Sequence, residues 1–135
     1  MSRESLKTFY AHVTGPLPPL YELLILSYQW GEVDLETFRL LPSFPPSLQS
    51  LVSAMTADTV MFRMLSSNRF AQFGRGPDVD YDPVCFDLNA RGSDGDCAIV
   101  KLDHEDILIR ERIRVVAEVA DSFRQLVLQT TATHQ

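Results

Sequence analysis

The chain has 135 residues, of which 45% are hydrophobic, 22% charged and 10% aromatic, as in an ordinary soluble globular domain. A chain of this length buries roughly two-thirds of its unfolded surface, so we expect one domain over residues 1–135 that folds without metals or disulfides. The longest aliphatic run covers residues 23–26, whereas a transmembrane helix needs roughly 20 apolar residues. The first residues lack the apolar stretch of a secretory signal, so we expect a cytoplasmic protein with no membrane partner.

The net charge of −6 is concentrated in one part of the chain. Residues 78–106 hold nine acidic residues against two basic ones, Arg91 and Lys101. Such a field repels the phosphates of nucleic acids and attracts basic partners. We therefore predict that the chain does not bind nucleic acid, and that it presents an acidic surface to a basic protein.

The first half of the chain predicts helices that are separated by prolines. A weak apolar pattern indicates a short helix over residues 1–15, and residues 20–30 carry a helical apolar face. Another amphipathic helix begins at Pro45 or Pro46, because proline fits the first turn of a helix. A short helix follows and reaches about Ser66.

The second half predicts strands and a closing helix. Residues 83–88 and 97–102 are apolar runs around a loop of turn-forming residues, which indicates a β-hairpin. Residues 107–109 and 113–119 are further strand candidates, and a capping-box pattern at Ser122 starts a final helix. This order predicts an α+β fold in which the N-terminal helices pack on a mostly antiparallel sheet, with a short C-terminal helix.

Three alternate carboxylates, Asp78, Asp80 and Asp82, resemble the start of an EF-hand calcium loop. That loop also needs glycine at its sixth position and glutamate at its twelfth, which are Pro83 and Asn89 here. An EF-hand is therefore excluded, and an irregular, weak calcium site is left as an alternative.

Two further patterns in the sequence do not complete a zinc-binding or catalytic motif. His104 and Glu105 begin like a zincin helix, but the second histidine that the motif needs is missing. The cysteines, Cys85 and Cys97, lack zinc-site spacing and a recognisable nucleophile signature, so we predict free thiols on strands. We expect no catalytic residues, metal site or cofactor, and assign Asp103 and Glu105 to hydrogen bonds with nearby backbone amides. A hydrolase or a calcium-dependent enzyme stays an alternative.

The second half contains an ordered set of segments, namely FGRGPD at 73–78, YDPVCFD at 81–87, IVKLDHE at 99–105, IL at 107–108, RI at 112–113 and SFRQL at 122–126. This set resembles the SUKH superfamily, which comprises fungal Smi/Knr cell-wall regulators and many bacterial toxin-immunity proteins. The resemblance extends over about residues 20–128. The chain lacks the Asn-Gly turn that many members carry after a Leu-Pro helix start, which indicates a divergent subgroup.

The resemblance implies an α+β fold without enzymatic activity. It implies that the protein binds and neutralises a cognate toxin, such as a nuclease, and the alternative is an intracellular regulatory or scaffold protein with no toxin partner. A nuclease cleft is basic, so carboxylates can mimic its phosphates, and Tyr81 among them can serve as an aromatic anchor. The candidate partner-binding residues are Asp78, Asp80, Tyr81, Asp82, Asp94 and Asp96. The sequence predicts no oligomeric state.

Overall fold

The structure, a computed structural model, describes residues 3–13, 15–28, 30–31, 33–34, 38–42, 48–76 and 81–133. The helices in this part of the chain are α1 (Arg3–Tyr10), α2 (Pro19–Ser27), α3 (Gln49–Thr56), α4 (Thr59–Ser67), α5 (His104–Arg110) and α6 (Phe123–Thr133). The strands are β1 (Val33–Asp34), β2 (Arg39–Leu40), β3 (Phe70–Arg75), β4 (Pro83–Arg91), β5 (Cys97–Leu102) and β6 (Val115–Ala120). No helix among these is long and apolar enough to cross a membrane.

The strands form one sheet in which each strand pairs with the next one along the chain, and every pair is antiparallel. The predicted α+β fold with an antiparallel sheet is confirmed. In the predicted hairpin, Phe86 on β4 lies opposite Ile99 on β5, and β4 extends to Arg91, so the turn is shorter than the sequence indicated.

Side-chain caps explain where α4 and α6 begin. The carboxylate of Asp58 accepts a hydrogen bond from the backbone amide of Met61 at 3.0 Å, which caps α4. Before α6, the amide of Gln125 donates to the hydroxyl of Ser122 at 3.0 Å, as the capping-box pattern predicts. The side chain of Gln125 in turn accepts from the amide of Asp121 at 2.8 Å.

The two faces of the sheet carry two apolar cores. On β4, Val84 and Phe86 point into the main core, whereas Cys85 between them points into the second core, because successive strand side chains face opposite ways. Helices α1, α2, α3 and α6 supply buried side chains to the main core. Helices α4 and α5 supply them to the second core, so both faces of the sheet are covered.

Aromatic rings fill the centre of the main core. Phe73 stacks on Phe86 with ring centroids 4.1 Å apart and planes 14° apart. Tyr21 and Phe123 each set an edge against both of these rings. Stacked and edge-to-face pairs add to the hydrophobic gain of burying large rings, so this cluster ties α2, α6 and the sheet together.

The strand predicted at residues 107–109 is wrong, because these residues belong to α5. The carboxylate of Asp103 accepts hydrogen bonds from the amides of Glu105 and Asp106 at 2.9 and 3.3 Å, which starts the helix. The acids of the first turn and Arg110 in the last turn also interact favourably with the helix dipole and stabilise the helix. These end effects outweigh the β propensity of the isoleucines.

β6 is the outermost described strand at its end of the sheet, and its first four side chains are exposed. Its register with β5 shifts between Ile99 and Val100, and again between Lys101 and Leu102. Such bulges twist an edge strand and disturb the row of amides and carbonyls that a further strand would need.

The two cysteines are free thiols on strands, as the sequence predicts, and both are buried. Cys85 belongs to the second core and Cys97 to the main core, so they face opposite sides of the sheet. Burial raises the pKa of both thiols.

Candidate functional site

A cavity of about 560 Å³ lies between α3, α4, β3 and the start of α5, and we call it the Tyr81 cavity. This volume is in the range of sites that hold a small ligand or a projecting side chain. Its apolar wall consists of Leu41, Ala54, Met55, Ala57, Met61 and Leu108. Met55 and Met61 are unbranched and polarisable, so this wall can adapt to differently shaped occupants.

The polar wall of the Tyr81 cavity comes from Asp58, Gln72, Arg75, Tyr81 and His104. The guanidinium carbon of Arg75 lies 5.5 Å from the centre of the Tyr81 ring, within cation–π range. The edge of the His104 ring approaches Tyr81, with centroids 6.1 Å apart. Tyr81 therefore contacts two polar side chains while 58% of its surface stays exposed.

Asp82 fixes His104 at the edge of the Tyr81 cavity. Its Oδ1 atom accepts a hydrogen bond from the backbone amide of His104 at 3.0 Å and lies 2.6 Å from Nδ1 of the same residue. The contact orients the imidazole ring at the edge of the cavity. It also joins the segment before β4 to the first residue of α5.

The structure brings Tyr81 and Asp82 together but separates them from Asp94 and Asp96. Tyr81 precedes β4, whereas Asp94 and Asp96 lie in the turn after it, and a strand of nine residues spans about 30 Å. The other candidates, Asp78 and Asp80, lie outside the described residues. The six candidates therefore do not form one compact patch.

Asp96 is 8% exposed and its carboxylate is used within the fold. Its Oδ1 atom accepts hydrogen bonds from the amides of Cys97 and Phe123 at 2.7 and 2.8 Å. Its Oδ2 atom accepts from the amide of Arg124 at 3.1 Å. These bonds attach the start of α6 to the β4–β5 turn, and they leave little of Asp96 for a partner. Asp94 is exposed and accepts from the amide of Asp96 at 3.0 Å.

A second group of charges surrounds Asp106, whose side chain is 1% exposed. It accepts hydrogen bonds from Arg110 and from Nε of Arg114, the latter at 2.6 Å, and Arg114 also bonds to Asp103. The Arg110 and Arg114 bonds hold the pKa of Asp106 below its usual range. Desolvation raises the pKa of Asp103, but bonds from Arg114 and from two amides outweigh it and lower that pKa.

These depressed pKa values predict how stability depends on pH. Because the folded carboxylates protonate at a lower pH than the unfolded ones, whose pKa is near 3.8, their contribution is present above that value. It is lost as the pH falls through the folded pKa values, so we expect the free energy of unfolding to drop between about pH 5 and about pH 1. Urea titrations at several pH values in this window measure the free energy of unfolding. We expect this free energy to depend less steeply on pH for Asp106→Asn than for the wild type. Equal slopes would contradict the assignment.

Asp82, Asp103 and His104 are a possible metal-ligand group, because one ligand atom from each lies within 4.8 Å of the others. Their present bonds compete with a cation: Asp103 caps α5 and binds Arg114, and Asp82 binds His104. Among the described residues that line the Tyr81 cavity, none is serine, threonine, cysteine or lysine. The polar side chains of the cavity wall can offer hydrogen bonds to an occupant.

The Asp82–His104 contact and the position of Arg75 were not predicted from the sequence. Asp82 and His104 are 22 residues apart, and only the hairpin of β4 and β5 brings them together. Arg75 reaches Tyr81 because β3 and β4 pair with Arg75 opposite Pro83. No pattern of neighbouring residues in the sequence predicts these contacts, because both depend on how the strands pair.

Comparison of the chain with models of protein families, with curated proteins and with solved structures finds no match. The SUKH resemblance therefore stays a prediction. In the described residues, the segments that carry it fall at the ends of β3 and β5, at the start of β4, in α5, between α5 and β6, and at the beginning of α6. Two of them, at 81–87 and 99–105, supply Tyr81, Asp82 and His104.

Proposed function

We propose that this protein is a non-enzymatic domain that binds another protein through the surface around Tyr81. In the terms of the SUKH resemblance, it is an immunity protein, and its partner is a basic toxin domain such as a nuclease. The observation that carries the proposal is the position of Tyr81, which is 58% exposed and lines a cavity large enough for a partner side chain.

An exposed, positioned tyrosine is a good anchor for a protein interface. Tyrosine buries a large area with few rotatable bonds, and residues of this type dominate the binding energy of many interfaces. Arg75 and His104 already restrict the Tyr81 ring, so less conformational entropy is lost when a partner covers it. The adjacent cavity offers a recess for a projecting side chain, with Met55 and Met61 on its wall.

The electrostatic field of the negatively charged protein supports a basic partner more than individual ion pairs do. Several acids of residues 78–106 already accept hydrogen bonds from a histidine, from arginines or from helix amides, namely Asp82, Asp96, Asp103 and Asp106. The net charge of −6 and exposed acids such as Asp94 and Glu105 remain. A field of this kind speeds the encounter with a basic protein and weakens as salt increases.

The partner can be captured with the tagged protein from its native cell at about 0.1 M and about 1 M salt, where charges are screened to different degrees. A basic protein that is retained at low salt and lost at high salt is the expected result. A neutral partner whose capture does not depend on salt would contradict the toxin proposal and favour the regulatory or scaffold alternative.

Once the partner is purified, Tyr81→Ala should weaken its affinity by about 30-fold or more, the effect of losing an interface hot spot. Tyr28→Ala is the matched control, because Tyr28 is 62% exposed and does not line the cavity. We expect its affinity to equal that of the wild type in calorimetric titrations. Equal affinities for both variants would overturn the Tyr81 interface.

The acidic segment is tested separately through the association rate. Asp78→Asn with Asp80→Asn removes two charges that are close to Tyr81 in the sequence, and it keeps both residues of the Asp82–His104 contact. We expect slower association and a weaker dependence of the rate on salt, measured by stopped flow. An association rate that does not change would remove steering by this segment from the proposal.

A further inference from the structure

Exposed apolar side chains are concentrated where α5 ends and β6 begins. Half of the large apolar side chains that are exposed in the described part of the chain lie within residues 108–116, namely Leu108, Ile109, Val115 and Val116. Ile109 is 74% exposed, more than any of the others. Exposed apolar side chains that share one region of surface mark a site of association.

Much of this surface lies on the side of the sheet that α5 covers. Val115 and Glu118 pair with residues of β5 whose side chains belong to the second core, and residues opposite each other on neighbouring strands face the same way. The guanidinium of Arg112 is on this side as well, because its Nη2 atom lies 3.8 Å from Oδ1 of Asp106 on α5. Arg112, Val115 and Glu118 therefore stand along one edge of the same face.

The bulges of β6 limit backbone pairing with a further strand but leave its apolar side chains uncovered. Charged side chains usually protect an edge strand, whereas residues 115–117 of β6 are Val-Val-Ala and all are exposed. A partner at this edge therefore contacts side chains more than the backbone.

Opposite charges flank the exposed valines at equal spacing. Arg112 is three residues before Val115 and Glu118 is three residues after it, which is about 10 Å in each direction along an extended chain. Both charged side chains are exposed, and Glu118 forms no ion pair with any other described residue. A second copy that runs antiparallel puts its Glu118 against Arg112 at one end and its Arg112 against Glu118 at the other, while the valines meet in the middle.

We infer that the end of α5 and the start of β6 are the contact surface of a two-fold symmetric dimer, and that the occupant is a second copy of this chain. A two-fold contact uses the same patch on both copies, so the patch must be complementary to itself, as the Arg112–Val115–Glu118 arrangement is. The inference is independent of the function proposed for the Tyr81 surface.

The dimer is expected to be weak and reversible. The contact involves fewer residues than the roughly 20–30 on each side of a standard interface, so we expect a dissociation constant of about 10–100 µM. The net charge of −6 on each copy opposes association, but salt at about 0.15 M screens charges that are more than about 8 Å apart.

The test is sedimentation velocity of the full chain over concentrations from about 5 µM to about 500 µM, which bracket the expected dissociation constant. We expect the mean mass to rise from 15.3 kDa towards twice that value. Ile109→Ser should weaken association about tenfold or more, because it removes the most exposed apolar side chain of the contact. Leu128→Ser is the matched control, since Leu128 is 62% exposed on α6, which packs on the other face of the sheet. It should associate as the wild type does.

Reversing the charges one at a time tests the symmetry of the contact. Arg112→Glu places two glutamates against each other at both ends, and Glu118→Arg does the same with two arginines. Each variant alone should dimerise about tenfold more weakly or worse, because two attractive pairs become repulsive. A mixture of equal amounts of the two variants restores opposite charges at both ends, so we expect mixed dimers with about the affinity of the wild type. This recovery also shows that both variants are folded.

Three outcomes would overturn the inference. One is a wild-type chain that stays monomeric at the highest concentration. Another is dimerisation that Ile109→Ser does not weaken but Leu128→Ser does, which would place the contact on α6. The third is a mixture of Arg112→Glu and Glu118→Arg that stays monomeric although circular dichroism shows both variants to be folded.

Discussion

Replacing Phe73 with alanine is expected to lower the free energy of unfolding by about 4 kcal/mol. Phe73 is 1% exposed and lies at the centre of the main core, stacked on Phe86 and in edge contact with Tyr21 and Phe123. Its removal leaves a cavity that rings from three different elements cannot fill without moving. Because a domain of this size is stable by only about 5–15 kcal/mol, the variant should retain little margin.

Urea unfolding monitored by circular dichroism measures this loss. Phe62→Ala is a matched control, because Phe62 is half-buried and its ring contacts only His12 among the described rings, with centroids 6.3 Å apart. We expect its loss to be about 1 kcal/mol, since little apolar area is removed from water at that position. Similar losses for the two phenylalanines would contradict the central place of Phe73 in the core.

Asp96→Ala is expected to cost about 3 kcal/mol of unfolding free energy. Three backbone amides, those of Cys97, Phe123 and Arg124, lose their acceptor when the carboxylate is removed. Donors left buried without an acceptor are unfavourable, and a lost helix cap adds about 1 kcal/mol to the cost. Asp96→Asn keeps one oxygen acceptor and should lose less than Asp96→Ala.

The matched control for Asp96 is Asp94→Ala, two residues away in the same turn. Asp94 is exposed and accepts a hydrogen bond from one amide, so we expect a loss of about 0.5–1 kcal/mol. The same variants separate folding from partner binding. If Asp96→Ala is as stable as the wild type but binds the partner poorly, Asp96 acts at the interface, and the role given to it here in holding α6 is wrong.

Local patterns in the sequence were sufficient for most of the elements. The hairpin of β4 and β5, the helices of the first half and the capping box at Ser122 all depend on residues that are close in sequence. The strand prediction at residues 107–109 was wrong because it relied on the β propensity of two isoleucines and not on the helix N-cap at Asp103. Asp103, with acids in the next turn and Arg110 at the end, is a helix signal that was present in the sequence.

The candidate site was predictable only in part. Tyr81 was found because it stands among acids. Its neighbours, Arg75 at the end of β3 and His104 at the start of α5, are brought to it by strand pairing that the sequence does not specify. The net charge of residues 78–106 follows from the sequence, but the distribution of these charges over the surface does not. Asp106 accepts hydrogen bonds from arginines that follow the acidic segment, and Asp96 accepts one from the first amide of α6. Composition gives the sum of charges, whereas tertiary structure decides which of them reach solvent.

The placement of the two thiols has a consequence for oxidative chemistry. The sheet stands between Cys85 and Cys97, so the folded chain cannot close an internal disulfide. The thiolate is the form that reacts with oxidants and with other thiols, and burial disfavours it at both positions. We therefore expect glutathione and peroxide to leave both thiols of the folded protein unmodified, so that the two cysteines stay reduced in oxidising surroundings.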